Sequence, residues 1–198
     1  TALVEELAPG SDGIDIEESY MAVVGGAVLM HLNDSLIGAE LWRTDGTPAG
    51  TFLLRDFDPG PGDGYPSDFA VLGGQLIFTA STPAEGGELF KSDGTIAGTV
   101  LVRDILPGVG SSNPSAFGTV GGFAVLSVHP TNADREIWRT DGTFAGTVPL
   151  VDPTPLAETT SGLFELTAAD GRVLFSADDG TAGREPWTSN GTASGTSL

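Results

Sequence analysis

The sequence predicts an all-β fold, a four-bladed β-propeller built from four-stranded repeats of about 48 residues. A Glu-Leu-Trp segment followed by Asp-Gly-Thr occurs in four copies, and a Gly-Gly pair or its variant precedes each copy. No apolar pattern of helical period is long enough to predict a helix. The glycines of the Asp-Gly-Thr copies lie at spacings of 48, 48 and 49 residues and are Gly46, Gly94, Gly142 and Gly191.

The repeat predicts one propeller domain over residues 1-198, with units at approximately 1-50, 51-98, 99-146 and 147-198. The first strand of each unit should end in a hairpin turn at the Gly-Gly pair, because glycine tolerates the positive φ of such turns. The second strand is an apolar run such as residues 28-30, which is typical of a strand buried on both faces.

The third strand carries the Glu-Leu-Trp segment, and the fourth follows the Gly-Thr pair that ends each copy. Pro149 lies in a fourth strand and favours an edge position there, because proline has no N–H for a ladder. The fourth unit stops just after its third strand, whereas residues 1-7 match a fourth strand. The sequence therefore predicts that the N-terminal strand closes the ring. A piece of a longer array and self-association through strand exchange are the alternatives.

The composition excludes several classes of protein. With 8 Lys and Arg against 27 Asp and Glu, the net charge is -19, which disfavours nucleic acid and anionic membranes and favours cationic partners. The longest apolar run, residues 21-30, is shorter than the roughly 18 residues of a membrane helix, so no membrane insertion is expected. The absence of Cys excludes a disulfide scaffold and thiolate metal sites.

The repeated Glu-Leu-Trp-x-x-Asp-Gly-Thr segment resembles the signature of the ELW-x-x-DGT repeat family of large secreted or surface-attached bacterial proteins. The resemblance covers nearly the whole chain and is weakest in the fourth unit, which has Pro186 and Asn190. It implies a propeller-like extracellular module, secreted or at the cell surface, and the family itself has no well-defined activity. The function must therefore be inferred from the individual residues of this chain.

The repeated residues are interpreted as structural. The Asp of each turn should cap it through a backbone N–H two residues on, with a calcium ladder as the alternative. The Glu residues should make internal hydrogen bonds rather than a carboxylate ring around the axis, and the aromatic residues should pack between blades rather than stack on sugars. These residues are Glu40, Trp42, Asp45, Gly46, Glu88, Phe90, Asp93, Gly94, Glu136, Trp138, Asp141, Gly142, Glu185, Trp187, Asn190 and Gly191.

Catalytic motifs are missing from the sequence. There is no Cys nucleophile, no Gly-x-Ser-x-Gly elbow and no His-Glu-x-x-His segment. His31 and His129 lie in different units and do not recur in the others. The sequence thus predicts a protein that is not an enzyme, with a degenerate hydrolase as the remote alternative.

Because successive strands alternate in direction, the turns between second and third strands and the loops between units lie on one side of the molecule. We call this side the loop-variable face. These loops differ from unit to unit, and binding is normally carried by such loops on a rigid scaffold. We expect a binding, adhesion or structural surface module that requires no cofactor and binds a protein or glycan ligand, with a glycan-binding lectin-like propeller as the alternative. The candidate binding residues are Asp12, Asp15, Asp34, Asp134, Asp178 and Asp179.

Asp56, Asp58 and Asp63 form the densest local group of acids, in one loop rich in Gly and Pro. Carboxylates and loop carbonyls are the oxygen ligands that calcium prefers. The loop is therefore a candidate calcium site. The alternative is that these charges only confer solubility.

Overall fold

The computed structural model describes residues 15-130, 135-150, 164-178 and 183-197. These residues form β-strands and two short 3₁₀ turns, at Pro48–Gly50 and Ala193–Gly195, and they contain no α-helix. The strands group into four antiparallel sheets, in which chain neighbours pair with each other. The all-β prediction is confirmed.

Each of the first two sheets has four strands in chain order. The first contains β1 (Asp15–Val24), β2 (Ala27–Asp34), β3 (Gly38–Thr44) and β4 (Phe52–Arg55). The second contains β5 (Ser67–Leu72), β6 (Gln75–Thr82), β7 (Gly86–Ser92) and β8 (Val100–Arg103).

The third sheet also has four strands, and the fourth has three. The third contains β9 (Ser115–Val120), β10 (Phe123–Val128), β11 (Glu136–Thr140) and β12 (Val148–Pro149). The fourth contains β13 (Phe164–Ala169), β14 (Arg172–Asp178) and β15 (Arg184–Ser189). Beyond β15, Ser197 forms an isolated antiparallel bridge with Thr188. Each outer strand pairs with the strand before it, so the sheets do not follow the approximate unit boundaries of the sequence.

Glycine pairs, apolar runs and a proline specify the turns and strands in the way that the sequence indicated. Gly25 and Gly26 both have positive φ, +58° and +83°, as a two-residue hairpin turn needs. The second strands are the most buried, with Leu29, Phe78 and Val125 fully inaccessible to solvent. Pro149 lies in β12, the outer edge strand of the third sheet, as predicted.

The sheets contact each other in chain order through their first strands, β1 with β5, β5 with β9 and β9 with β13. A closed ring is not seen within the described ranges. The predicted closing strand, residues 1-7, lies outside the described residues, as does the segment 151-163 that precedes β13. The described residues therefore establish four consecutive sheets and leave ring closure as a prediction.

Aromatic residues of the third strands fill the spaces between sheets. Phe90 of β7 belongs to an apolar cluster with Leu41 and Phe57 of the first sheet and its loop. Trp138 of β11 packs with Leu89 of the second sheet, and Trp187 of β15 packs against a cluster shared by the third and fourth sheets. Three of the four aromatic positions thus join consecutive sheets.

Long basic side chains join consecutive sheets as well. Arg55 Nη1 donates to the carbonyl oxygen of Thr99 at 2.8 Å, and Arg103 Nη1 donates to that of Thr147 at 2.7 Å. The guanidinium of Arg55 also lies 4.8 Å from the ring centroid of Phe57. Each bond runs from an outer strand to a turn of the next sheet, which fixes the spacing of the sheets.

Within the part of the chain that the structure describes, no helix has the length and apolar character needed to cross a bilayer.

Candidate functional site

The Asp-Gly-Thr turns form one face of the molecule and have the same hydrogen bonds in every unit. In the first unit, Asp45 Oδ1 accepts from the backbone N–H of Thr47 at 3.0 Å and from its hydroxyl at 2.7 Å. The Thr47 hydroxyl oxygen in turn accepts from the N–H of Gly50. Asp93, Asp141 and Asn190 make the equivalent bonds in the other units.

These bonds favour a turn-capping role over a calcium ladder. The pKa values of Asp45 and Asp93 are lowered from the usual range, because each carboxylate accepts a hydrogen bond from a Thr hydroxyl. The Gly of the Gly-Thr pair is also required, because a Cβ built on Gly50 or Gly98 would overlap that carboxylate. Asn190 replaces Asp with one amide oxygen in the same place, so charge is not needed for the turn.

In the first two units the repeated Glu residue organises the loop that leaves the outer strand. Glu40 is fully buried, and its carboxylate accepts from the backbone N–H of Phe57 at 2.8 Å and of Gly64 at 2.9 Å. Glu88 does the same for Ile105 at 2.8 Å and for Ser112 at 3.0 Å. The two carboxylates therefore shape the inter-unit loops internally, and they do not form a ring around an axis.

Glu136 and Glu185 differ from this pattern. Glu136 Oε2 accepts from the indole Nε1 of Trp138 at 2.5 Å, and Glu185 is only half-buried. The loop that would follow Glu136 at the same spacing lies in 151-163, outside the described residues.

Burial raises the pKa of Glu40 to about 7, against the three backbone N–H groups that lower it. The unfolded value is near 4.5, so between pH 4.5 and 7 the folded chain holds this proton more tightly than the unfolded chain. The stabilisation that this proton contributes is therefore fully present below pH 4.5. It decreases as the pH rises from 4.5 to 7 and does not change further above pH 7.

We expect the difference in melting temperature between the wild type and Glu40→Gln to shift against the wild type as the pH rises from 4.5 to 7. The two proteins share every other carboxylate, so their difference isolates this one group. The measurement is a series of thermal melts from pH 4.5 to 8. A difference that stays constant over the series would contradict the raised pKa.

The aromatic residues of the third strands are buried in the first three sheets and partly buried in the fourth. Phe90 is fully buried, Trp42 and Trp138 are buried, and Trp187 is half-buried and stacked on Phe175. Sugar stacking on these rings, on which the glycan alternative rested, is therefore not supported.

The loop-variable face has a common backbone in its first two units. The carbonyl oxygen of Ala39 accepts from the N–H groups of both Gly64 and Tyr65, and that of Gly87 accepts from those of Ser112 and Asn113. In the first unit a Cβ on Gly38 would overlap the carbonyl of Gly62, so the turn and the loop are in close contact. The inter-unit loop is thus anchored on the preceding turn at equivalent positions of both units.

Different side chains stand on this common backbone. Tyr65 of the first unit, 57 % exposed, is replaced by Asn113 in the second, and Leu36, 78 % exposed, is replaced by Ala84. Val109, 80 % exposed, takes the place of Pro61. The scaffold therefore presents exposed side chains that change from unit to unit, which the motifs of the sequence did not single out.

The candidate binding residues are only partly described. Asp34 is buried, and its Oδ1 accepts from the N–H of Leu36 at 2.7 Å, so it supports the turn and is not an exposed binding residue. Asp15 begins β1 and Asp178 ends β14, and their side chains are not described. Asp12, Asp134 and Asp179 lie outside the described residues.

The candidate calcium ligands have separate roles. Asp63 Oδ1 accepts from the N–H of Ala39 at 2.8 Å, and the hydroxyl of Tyr65 and this N–H lower its pKa. The Asp58 carboxylate lies against Gly62, and one Asp56 oxygen is buried without a hydrogen bond. Within the described ranges, no three Asp, Glu or His side chains are grouped as ligands of one metal ion. Calcium binding remains a prediction without a located site.

His31 has a structural role within the first two sheets. His31 is buried, its Nδ1 lies 2.9 Å from the carbonyl oxygen of Pro66, and its ring stacks on Tyr20. A carbonyl only accepts, so Nδ1 carries the proton of this bond. His31 is thereby fixed as part of the scaffold.

Comparison with known proteins shows a likeness among solved structures. No family model matches the chain, and no curated protein matches it. The chain is similar to the crystal structure of a serine-to-alanine mutant of puromycin hydrolase complexed with PGG, with 15% sequence identity and a TM-score of 0.56. The likeness covers 85% of this chain and 26% of that chain, so this chain corresponds to about a quarter of that protein. At this identity the likeness shows the fold alone.

The comparison contradicts the prediction that the chain is not an enzyme. The similar structure is that of a hydrolase, so sheets arranged in this way occur within an enzyme. The prediction rested on missing motifs, and motifs cannot be judged in a segment that matches only about a quarter of an enzyme's length. The lack of a Cys nucleophile or a serine elbow in these residues therefore does not exclude a place in an enzyme.

Proposed function

We propose that the chain is a secreted or cell-surface module of the ELW-x-x-DGT type whose loop-variable face binds a protein partner. The observation that carries the proposal is the contrast between the two faces. One face repeats the same capped turns in all four units, and the other presents exposed residues that differ on a common backbone, such as Tyr65 and Asn113. Different side chains on a fixed backbone are typical of binding surfaces.

The finer fold in this proposal is a closed four-bladed propeller. Phe90, Trp138 and Trp187 each pack against the preceding sheet, whereas Trp42 clusters with Met30 and Leu32 of its own sheet among the described residues. In a closed ring the Trp42 side of the first sheet would face the fourth sheet. Residues 1-7 would then continue the outer strand of the fourth sheet that Ser197 begins beside Thr188.

Deletion of residues 1-7 should lower the free energy of unfolding by about 2 kcal/mol, because at least two ladder hydrogen bonds at the edge of β15 would be lost. Urea denaturation of the truncated and full chains measures this difference. Light scattering of the full chain distinguishes closure within one molecule, which gives a monomer, from strand exchange, which gives oligomers. Equal stability of the two chains would refute closure by this segment.

A matched pair of substitutions tests the binding face. Val109→Asp changes an exposed residue of the loop-variable face, and Ile96→Asp changes an equally apolar residue, 67 % exposed, on the opposite face. Immobilised wild-type protein and both variants are compared for capture of surface proteins and for binding to a glycan array. We expect the wild type to capture surface proteins, Val109→Asp to lose this capture and Ile96→Asp to keep it. Capture that is lost only in Ile96→Asp would place binding on the opposite face, and a glycan signal with the same dependence on Val109 would favour the lectin alternative.

A further inference from the structure

Tyr65 has an unusual backbone conformation for its residue type. Its φ is +47°, in the left-handed region, and Asn113 has a φ of +44° at the equivalent position. The shared hydrogen bonds explain this, because two successive N–H groups of each loop donate to a single carbonyl oxygen, that of Ala39 or Gly87. The fold therefore imposes the conformation on whichever residue stands there.

Asparagine tolerates this region, whereas a bulky side chain is strained in it. Tyr65 is 57 % exposed, so the packing of its side chain can compensate only part of the strain. A strained residue whose side chain is directed to solvent indicates a role at the surface.

A carboxylate lies next to this ring. Asp63 Oδ1 accepts from the N–H of Ala39 at 2.8 Å, the residue whose carbonyl oxygen accepts from the N–H of Tyr65. The two side chains are close enough that Asp63 raises the pKa of Tyr65 and Tyr65 lowers that of Asp63. The loop thus presents an aromatic face beside a fixed anionic acceptor. The same positions of the second unit hold Asn113 and Ser111, which supply neither the ring nor the charge.

The chain itself places Arg side chains over aromatic rings, with backbone carbonyl oxygens as the acceptors. Arg55 lies over the ring of Phe57 and donates to a carbonyl oxygen, and Arg103 lies 4.7 Å from the ring centroid of Phe144 and donates to the carbonyl of Thr147. Among the described residues, no Arg or Lys lies over Tyr65. The net charge of -19 adds a field that attracts cations to the surface and repels anionic ligands.

We infer that Tyr65 and Asp63 form a recognition site for an Arg or Lys side chain of a basic protein partner. The cation would lie over the Tyr65 ring and pair with the Asp63 carboxylate, as a guanidinium does over an aromatic ring elsewhere in this chain. This inference rests on the proposed binding role of the loop-variable face and names the chemistry of its partner.

The test is a fluorescence titration of labelled hexa-arginine with the 198-residue chain at physiological ionic strength. Tyr65→Asn should weaken binding about three- to tenfold, because it removes the ring and leaves the net charge unchanged. The same variant should raise the melting temperature by about 2–4 °C, because Asn tolerates the conformation that Asn113 already adopts. Tyr65→Phe keeps the ring and should bind within about twofold of the wild type.

A second pair of substitutions tests whether the position of the negative charge matters or only the net charge. Asp63→Asn and Asp170→Asn each remove one negative charge, and Asp170 is exposed at the turn between β13 and β14, on the opposite face. Asp63→Asn should weaken hexa-arginine binding by more than threefold, and Asp170→Asn by less than twofold. A matching loss in both variants would reduce the interaction to the diffuse field and overturn the site.

The remaining outcomes separate this site from the broader proposal. Unchanged hexa-arginine affinity in Tyr65→Asn would overturn the site, even if Val109→Asp still abolished capture of surface proteins. Tyr65-dependent binding of neutral cellohexaose, without binding of hexa-arginine, would replace the cationic partner with a glycan. Loss of capture in Ile96→Asp alone would refute the proposed binding face itself.

Discussion

Phe90→Ala should lower the free energy of unfolding by about 3–5 kcal/mol, among the largest effects of any single substitution in this chain. Phe90 is fully buried and lies 5.0 Å from Phe57 and 6.0 Å from Phe78, measured between ring centroids. The Arg55 guanidinium lies 5.2 Å from its ring centroid. Removal of the ring would leave a cavity between the first two sheets and would deprive Arg55 of a contact that aligns it with the next sheet.

Phe144→Ala is the matched control. Phe144 is 65 % exposed and contacts the guanidinium of Arg103, so its loss should cost no more than about 1 kcal/mol. Urea denaturation of both variants and the wild type gives the comparison. Similar losses for the two variants would show that the space between the sheets is not the main core of this protein.

Glu88→Gln should lower the free energy of unfolding by about 2–3 kcal/mol. The carboxylate accepts from Ile105, from Leu106 and from both the N–H and the hydroxyl of Ser112. An amide replaces one acceptor oxygen with an N–H₂ group, which would face backbone donors in a buried place. The inter-unit loop of residues 104-114 would lose its anchor on β7.

Glu185→Gln serves as the control, because Glu185 is the equivalent residue of the fourth sheet and is only half-buried. It should change stability by less than about 0.5 kcal/mol. Hydrogen exchange measures the local effect: the amides of Ile105 and Ser112 should lose protection in Glu88→Gln and keep it in Glu185→Gln. Retained protection in Glu88→Gln would mean that the loop holds its shape without the carboxylate.

Much of the architecture was accessible from the sequence because it is encoded locally. The Asp-Gly-Thr turns close through bonds within seven residues, such as the pair of hydroxyls of Thr44 and Thr51. Paired glycines specify hairpin turns, and apolar runs specify the buried second strands. A repeat of such short-range signals determines strands, turns and sheet order without reference to distant residues.

The site could not be predicted in the same way. The sequence directed attention to acids, but Asp34 is buried in a turn, and Asp56, Asp58 and Asp63 have separate partners. Tyr65 has no motif of its own. Its one signal in the sequence is that it stands where the next unit, 48 residues on, has Asn113, a residue that favours positive φ.

The sequence by itself thus determined the all-β class, the four-fold repeat and the capped turns. The tertiary structure decided which repeated carboxylates are buried acceptors and which exposed side chains share a surface. The physical reason is the range of the interactions involved. Glu40 contacts loop residues 17 to 24 positions away, and Arg55 bonds a carbonyl 44 positions away, so these contacts exist only after the sheets have packed.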